Sequence, residues 1–178
     1  MKYDELNIDR VRNEFSLLAE ELSLLYPDET FEVFVVGGVP LMTYTNYKKS
    51  SDIDIYTLSD KRLLPLLEHH FMNTRAAGMS MSFSADMEGR FLLSDFSKDN
   101  LLVYFASLED IVASKLIANR DKDFEDITDK NVIKSVDFGK LDSIVKDELS
   151  IDLSEHNYRQ LLRVYKKYLE YADKYIDK

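Results

Sequence analysis

The chain has 178 residues, 45% of them hydrophobic and 31% charged, with 33 acidic side chains against 23 basic ones and a formal net charge of −10. That size suits one domain, or one domain with an appended helical part, and the acidity removes any general attraction to nucleic acid, whose binding rests on neutralising phosphates. Cysteine is absent, which excludes disulfides and thiolate chemistry, and no run nears the ~20 apolar residues of a membrane span.

The elements follow from periodicity. Leu6, Val11, Phe15, Leu18, Leu22 and Leu25 recur at helical spacing, so a helix is expected from Asp4 to Leu25, closed by Pro27. Phe31 to Val36 is aromatic and β-branched and ends at Gly37-Gly38, which predicts a strand buried on both faces. A short helix is expected within Val39 to Tyr47, with Pro40 in its first turn. The polar turn Lys48-Lys49-Ser50-Ser51 leads into a second strand, Asp52 to Thr57.

Ser59 or Asp60 can cap a third helix reaching about Thr74, with Leu63, Leu64, Leu67 and Phe71 as its apolar stripe. His69 and His70, two of only three histidines, fall near its end as a partly exposed pair, too few for a His-rich zinc site. Met79 to Ala85 alternates apolar and serine residues, predicting a half-exposed strand. Arg90 to Leu93 and Leu101 to Phe105 are two further strand candidates. Ser107, with Asp110 at the third helical position, caps a helix through IVASKLIANR, and the chain reads as helical from Asp123 onward. Its last helix, Ser154 to about Ile176, carries Tyr158, Tyr165, Tyr168 and Tyr175 as a packing stripe. The expected fold class is α+β: a small mixed β-sheet in residues 1–106, flanked by helices, with a C-terminal helical part in residues 107–178.

The chemistry concentrates between Phe31 and Leu58. Asp52 and Asp54, two apart in a strand, project to one face while Ile53 and Ile55 enter the core. Paired carboxylates repel unless a cation lies between them, and hard oxygen ligands suit Mg²⁺ or Mn²⁺. A solvated edge strand with two exposed acids is the plainer alternative. Gly37-Gly38 permits a positive φ and close backbone approach, so its N–H groups can face phosphate, with the dipole of the following helix behind them. An ordinary strand-to-helix turn is the alternative there. Lys48, Lys49, Arg120 and Lys122 can supply a local positive patch or a solvated face.

VVGGVPLMTY…SSDIDIYTL resembles the nucleotidyltransferase superfamily that includes DNA polymerase β, with its glycine turn, helix and Asp-x-Asp strand introduced by a small hydroxylated residue, here Ser51. Ser107 to Ile127, SLEDIVASKLIANRDKDFEDI, is similar to the corresponding block of AbiEii-type and minimal nucleotidyltransferase-like proteins, with a lysine in one helix and an acidic pair at the start of the next. The resemblance implies that Gly37, Gly38 and Ser51 cradle the nucleotide phosphates and that Asp52 and Asp54 hold Mg²⁺ or Mn²⁺. It implies that Lys115 reaches a phosphate, and that Asp123 and Asp126 activate the accepting hydroxyl or orient Lys115. A third carboxylate normally comes from a later strand, for which Asp86 is the choice here; Val39 stands where members usually carry serine.

The implied function is transfer of a nucleoside monophosphate from an NTP to a hydroxyl acceptor: an RNA end, a protein side chain or a small molecule. The resemblance also implies a toxin–antitoxin or phage-defence setting with a cognate antitoxin as partner, and MKYDELNIDR, which lacks the apolar core of a signal peptide, leads to the expectation of a cytoplasmic protein. A catalytically inactive member acting as an interaction module is the second reading.

Overall fold

Asn7 begins the first helix: its side chain accepts the Arg10 N–H, and α1 runs Ile8–Leu25. The start is later than Asp4 because Leu6 and Ser50 exchange backbone hydrogen bonds in an isolated bridge. The computed structural model describes residues 6–46, 50, 52–70, 72–74 and 83–176. Val11, Phe15, Leu18, Ala19 and Leu22 form the buried stripe of α1.

Five strands make one mixed sheet: β1 (Phe31–Val36), β2 (Ile53–Leu58), β3 (Met72–Asn73), β4 (Leu92–Leu93) and β5 (Leu101–Phe105), in the spatial order β3-β2-β1-β5-β4. β1 runs antiparallel to β2 and parallel to β5; β3 is parallel to β2, and β4 antiparallel to β5. Phe31, Val33, Val35, Ile53, Ile55, Leu101, Val103 and Phe105 bury one face against α1. The other face is not buried as expected for β1. There Phe34 is half-exposed, stacked on Tyr104 at 4.9 Å and met edge-on by Phe91 at 5.0 Å. The apolar run of β1 therefore reflects two different environments, a dry core and an aromatic surface cluster.

The segment expected as one helix to Thr74 divides. Asp60 caps a 3-10 turn, Lys61–Leu63, and α3 follows as Leu64–His69 with Pro65 in its first turn. Its cap residue His70 donates its backbone N–H to Leu66 O, which lets Met72 and Asn73 leave and pair with Ile53 and Asp54. The expected strand Met79–Ala85 lies mostly outside the described residues, and Ala85 instead opens a 3-10 turn, Ala85–Arg90. Side-chain anchors decide this: the Ala85 N–H donates to Asp152, Ser84 donates to Glu148, and the Arg90 guanidinium is gripped by Asp110 and Glu148. Arg90 is thus withdrawn from the expected strand, leaving the two-residue β4.

After Ala106 the described chain is helical. Ser107 caps α4 (Leu108–Ala118) by accepting the Asp110 N–H. There follow α5 (Asp121–Ile127), α6 (Lys130–Ser135), α7 (Phe138–Ser143), a π-helical turn Ile144–Glu148, α8 (Leu149–Asp152) and α9 (Glu155–Ile176). Tyr165 and Tyr168 lie buried in a second hydrophobic cluster with Leu116, Ile133 and Leu149, and Tyr158 and Tyr175 pack against it. Val36, at the end of β1, and Leu41, in the helix that follows, belong to this second cluster. The C-terminal helices are thereby packed against the end of β1 where the glycine turn lies.

Candidate active site

Gly37 has φ +76°, a conformation in which an L side chain is strained, and it caps α2 (Gly38–Thr45). A Cβ on Gly37 would sit 2.5 Å from Asp54 Oδ2, and one on Gly38 would sit 2.5 Å from Ser50 Oγ. Gly37 is therefore dictated by conformation and by contact, and Gly38 by contact alone. Ser50 Oγ donates to the Asp52 carbonyl at 2.8 Å, tying the turn to the acidic strand. Val39 is fully buried in the cluster beneath the sheet, so it faces the core and not the turn. Pro40 brings no N–H, so the first turn of α2 offers fewer donors to an anion than an ordinary helix.

Asp54 pairs with Val36 across β1 and β2, and Asp52 lies in the bend just before β2. Asn73, registered beside Asp54 on β3, donates its amide to Asp54 Oδ1 at 2.7 Å. Burial and then the charge of Asp52 push the Asp54 carboxyl up to about 6, against the lowering influence of Asn73, Lys115 and Arg120. Two carboxylates are held together where they repel, an arrangement that a cation relieves.

On the opposite wall Ile111, Ser114, Lys115 and Ala118 face the cleft at helical spacing along α4. Lys115 Nζ donates to Asp123 Oδ1 and to Asp126 Oδ2, both at 2.9 Å, with only 13% of its side chain exposed. Arg120 donates through Nε to the other oxygen of Asp123. Burial alone would raise the Asp123 carboxyl, but Arg120 and Lys115 outweigh it and hold Asp123 below its ordinary range. Lys115 is thus a fixed charge, oriented by two acids that are themselves 3% and 7% exposed.

These walls enclose a cleft of about 380 Å³. Gly37, Gly38, Asp52, Asp54, Lys115, Asp123 and Asp126 all line it, as do Arg120 and Lys122. Ser51, Lys48 and Lys49 lie outside the described residues. Asp86, expected as a third carboxylate, does not line the cleft: it is exposed on the 3-10 turn Ala85–Arg90. Asn73 and Ser114 are lining residues that sequence reasoning missed. Asn73 gives no local signal, since its place depends on β3 pairing with a distant strand. Ser114 was accessible, because it precedes Lys115 and shares the Ile111–Lys115–Ala118 face.

A sequence profile for a nucleotidyltransferase family of unknown function, DUF6036, matches residues 13–175. The chain belongs to this family. The match runs from α1 through α9, and the five-stranded mixed sheet with flanking helices is a nucleotidyltransferase fold. No curated protein and no solved structure matches the chain. No helix among the described residues is long and apolar enough to cross a membrane.

The residues fit one divalent ion of the kind such enzymes use. Mg²⁺ takes one or two carboxylates and fills its octahedron with water and substrate phosphates. Asp52 and Asp54 supply that number, and the Asp54 carboxyl is raised first by burial and then by the charge of Asp52, both of which a bound cation offsets. Among the described residues no third carboxylate joins them in a three-ligand cluster.

Proposed function

We propose that the cleft transfers a nucleoside monophosphate from an NTP to a hydroxyl acceptor on a protein, an RNA end or a small molecule. The observation that carries this reading is the meeting, in one cleft, of a positive-φ glycine turn, the Asp52–Asp54 pair and the Lys115–Asp123–Asp126 triad, drawn from separate stretches of the chain. Nucleotidyltransferases generally use divalent metals, and Mg²⁺ or Mn²⁺ bound by Asp52 and Asp54 would neutralise charge on the reacting phosphates. The missing Cβ atoms of Gly37 and Gly38 let the turn close against Asp54 and Ser50, which keeps its backbone beside the acidic pair in the cleft. Lys115, held in place by hydrogen bonds to Asp123 and Asp126, stabilises negative charge that develops on the phosphates. Arg120 and Lys122 at the rim attract the incoming polyphosphate in a chain that is otherwise acidic. Asp126 accepts a hydrogen bond from Lys115 through Oδ2 and lines the cleft, where its carboxylate can serve as the acceptor's proton-accepting partner.

The likeness of Ser107 to Ile127 to AbiEii-type proteins supports a toxin–antitoxin or phage-defence setting with a cognate antitoxin as partner. The overall acidity favours a protein or small-molecule acceptor over a long polynucleotide.

A second reading, an inactive member acting as an interaction module, is favoured by one observation: among the described residues no third carboxylate joins Asp52 and Asp54, and the amide of Asn73 stands beside Asp54. The two readings separate in a transfer assay. Purified chain is incubated with Mn²⁺ or Mg²⁺ and each α-labelled NTP, alone and with cell extract as acceptor. The transferase reading predicts label on a macromolecule, reduced at least about 100-fold by Asp54→Asn. Equal labelling by wild type and variant, or none with any NTP, contradicts it.

A further inference from the structure

We infer that Glu21, His69 and His70 form a second metal site, for a borderline transition ion such as Zn²⁺, which staples α1 to the end of α3. The site is separate from the cleft, since none of these residues lines it, and the inference does not rest on nucleotidyl transfer. Glu14 and Glu21 lie seven residues apart, on one face of α1. His69 is the last residue of α3 and His70 its cap.

The imidazole of His70 is buried, with 10% of its side chain exposed, and each ring nitrogen meets a carboxylate. Nδ1 is 3.3 Å from Glu14 Oε2, and Nε2 is 3.1 Å from Glu21 Oε2. A neutral imidazole has a single N–H and can satisfy only one of them. With the proton on Nδ1, donated to Glu14, the lone pair of Nε2 faces the oxygen of Glu21. Two acceptors at that distance need a cation between them, a proton or a metal.

His69 decides in favour of a metal. Its Nδ1 lies 3.8 Å from the same Glu21 oxygen, although the ring is largely exposed and free to point to solvent. A proton shared by His70 and Glu21 gives a second imidazole nothing to do. A metal ion uses it, because one ligand atom from each of Glu21, His69 and His70 falls within 4.8 Å of the others. Two imidazoles and one carboxylate are a donor set for Zn²⁺ with a position left for water. Glu14 then plays the part that carboxylates take behind metal-bound histidines, fixing the tautomer and raising ligand basicity. Mg²⁺, which prefers all-oxygen surroundings, belongs to the cleft and not here.

The full chain, stripped with chelator, is titrated with Zn²⁺ by calorimetry and with Co²⁺ by visible absorption. The inference predicts one Zn²⁺ per chain and the intense d–d bands of a four-coordinate Co²⁺ site, undisturbed by excess Mg²⁺. His69→Ala removes an exposed side chain and keeps the fold, and it should weaken binding at least about tenfold; Glu14→Gln should weaken it by about the same factor through the supporting hydrogen bond. Asp54→Asn should leave it unchanged, which separates this site from the cleft. Absence of Zn²⁺ binding by the stripped chain, or wild-type affinity in His69→Ala, overturns the inference and leaves His70 as a hydrogen-bonded link between two glutamates.

Discussion

Asp54 shows how a single side chain carries opposed demands of folding and function. Its carboxyl is pushed up to about 6 by burial and by Asp52, so in metal-free protein the folded state holds that proton more tightly than the unfolded state. The sign follows by linkage: stability from this group is fullest below about pH 4 and is lost as pH rises towards 6. Asp54→Asn keeps an acceptor for the Asn73 amide and removes the titration. Melting curves in EDTA should therefore coincide near pH 4 and separate by pH 7, the variant melting higher by on the order of 2–4 °C. Parallel pH profiles for the two chains would count against the strained carboxylate pair. At this scale much was legible in the sequence. Gly37-Gly38, Asp52-x-Asp54, Lys115 and Asp123-x-x-Asp126 are local patterns, and local patterns survive in a string of letters. Asn73 was not legible, because its role is created by β3 docking beside β2. The burial of His70 between two acids of α1 was hidden for the same reason.

The elements were legible where backbone periodicity set them and illegible where side-chain anchors did. β1, β5 and α9 follow their apolar patterns closely. The stretch before β4 does not, because Arg90 is drawn inward to Asp110, which is 1% exposed, and to Glu148. Nothing local to Arg90 in the sequence could announce partners in α4 and in the π-helical turn far along the chain. That network joins the 3-10 turn to the C-terminal helices, next to Phe83 in the cleft lining. Arg90→Ala would leave two acids without their cation, one of them fully buried, at a cost of about 3–5 kcal/mol. A thermal melt should fall by on the order of 10 °C, and Arg90→Lys should recover only part of it, since a lysine cannot reproduce the forked contact. A melting point within a degree or so of wild type for Arg90→Ala would show that the network is incidental.

At the scale of the whole molecule, the cleft is assembled between a sheet end and a helical wall. The sheet contributes the glycine turn and the acidic pair, and α4 and α5 contribute the lysine with its two carboxylates. The hydrophobic cluster that runs from Val36 and Leu41 to Tyr165 and Tyr168 holds the two walls in register. The fold class was legible because strand and helix patterns alternate as far as Phe105 and helical patterns alone follow, and the facing of the walls was expected only through the resemblance, since no local pattern encodes which helix meets which strand. The central claim is that a metal–nucleotide complex binds between these walls, with its metal on Asp52 and Asp54. It is tested most directly by a crystal structure of the chain soaked with Mn²⁺ and a non-hydrolysable NTP, read by anomalous scattering. The account predicts a manganese peak bridging Asp52 and Asp54, with the triphosphate against Gly37–Gly38 and within reach of Lys115. Nucleotide bound elsewhere, or a cleft in which Asp54 contacts only Asn73 at saturating Mn²⁺ and NTP, would contradict it.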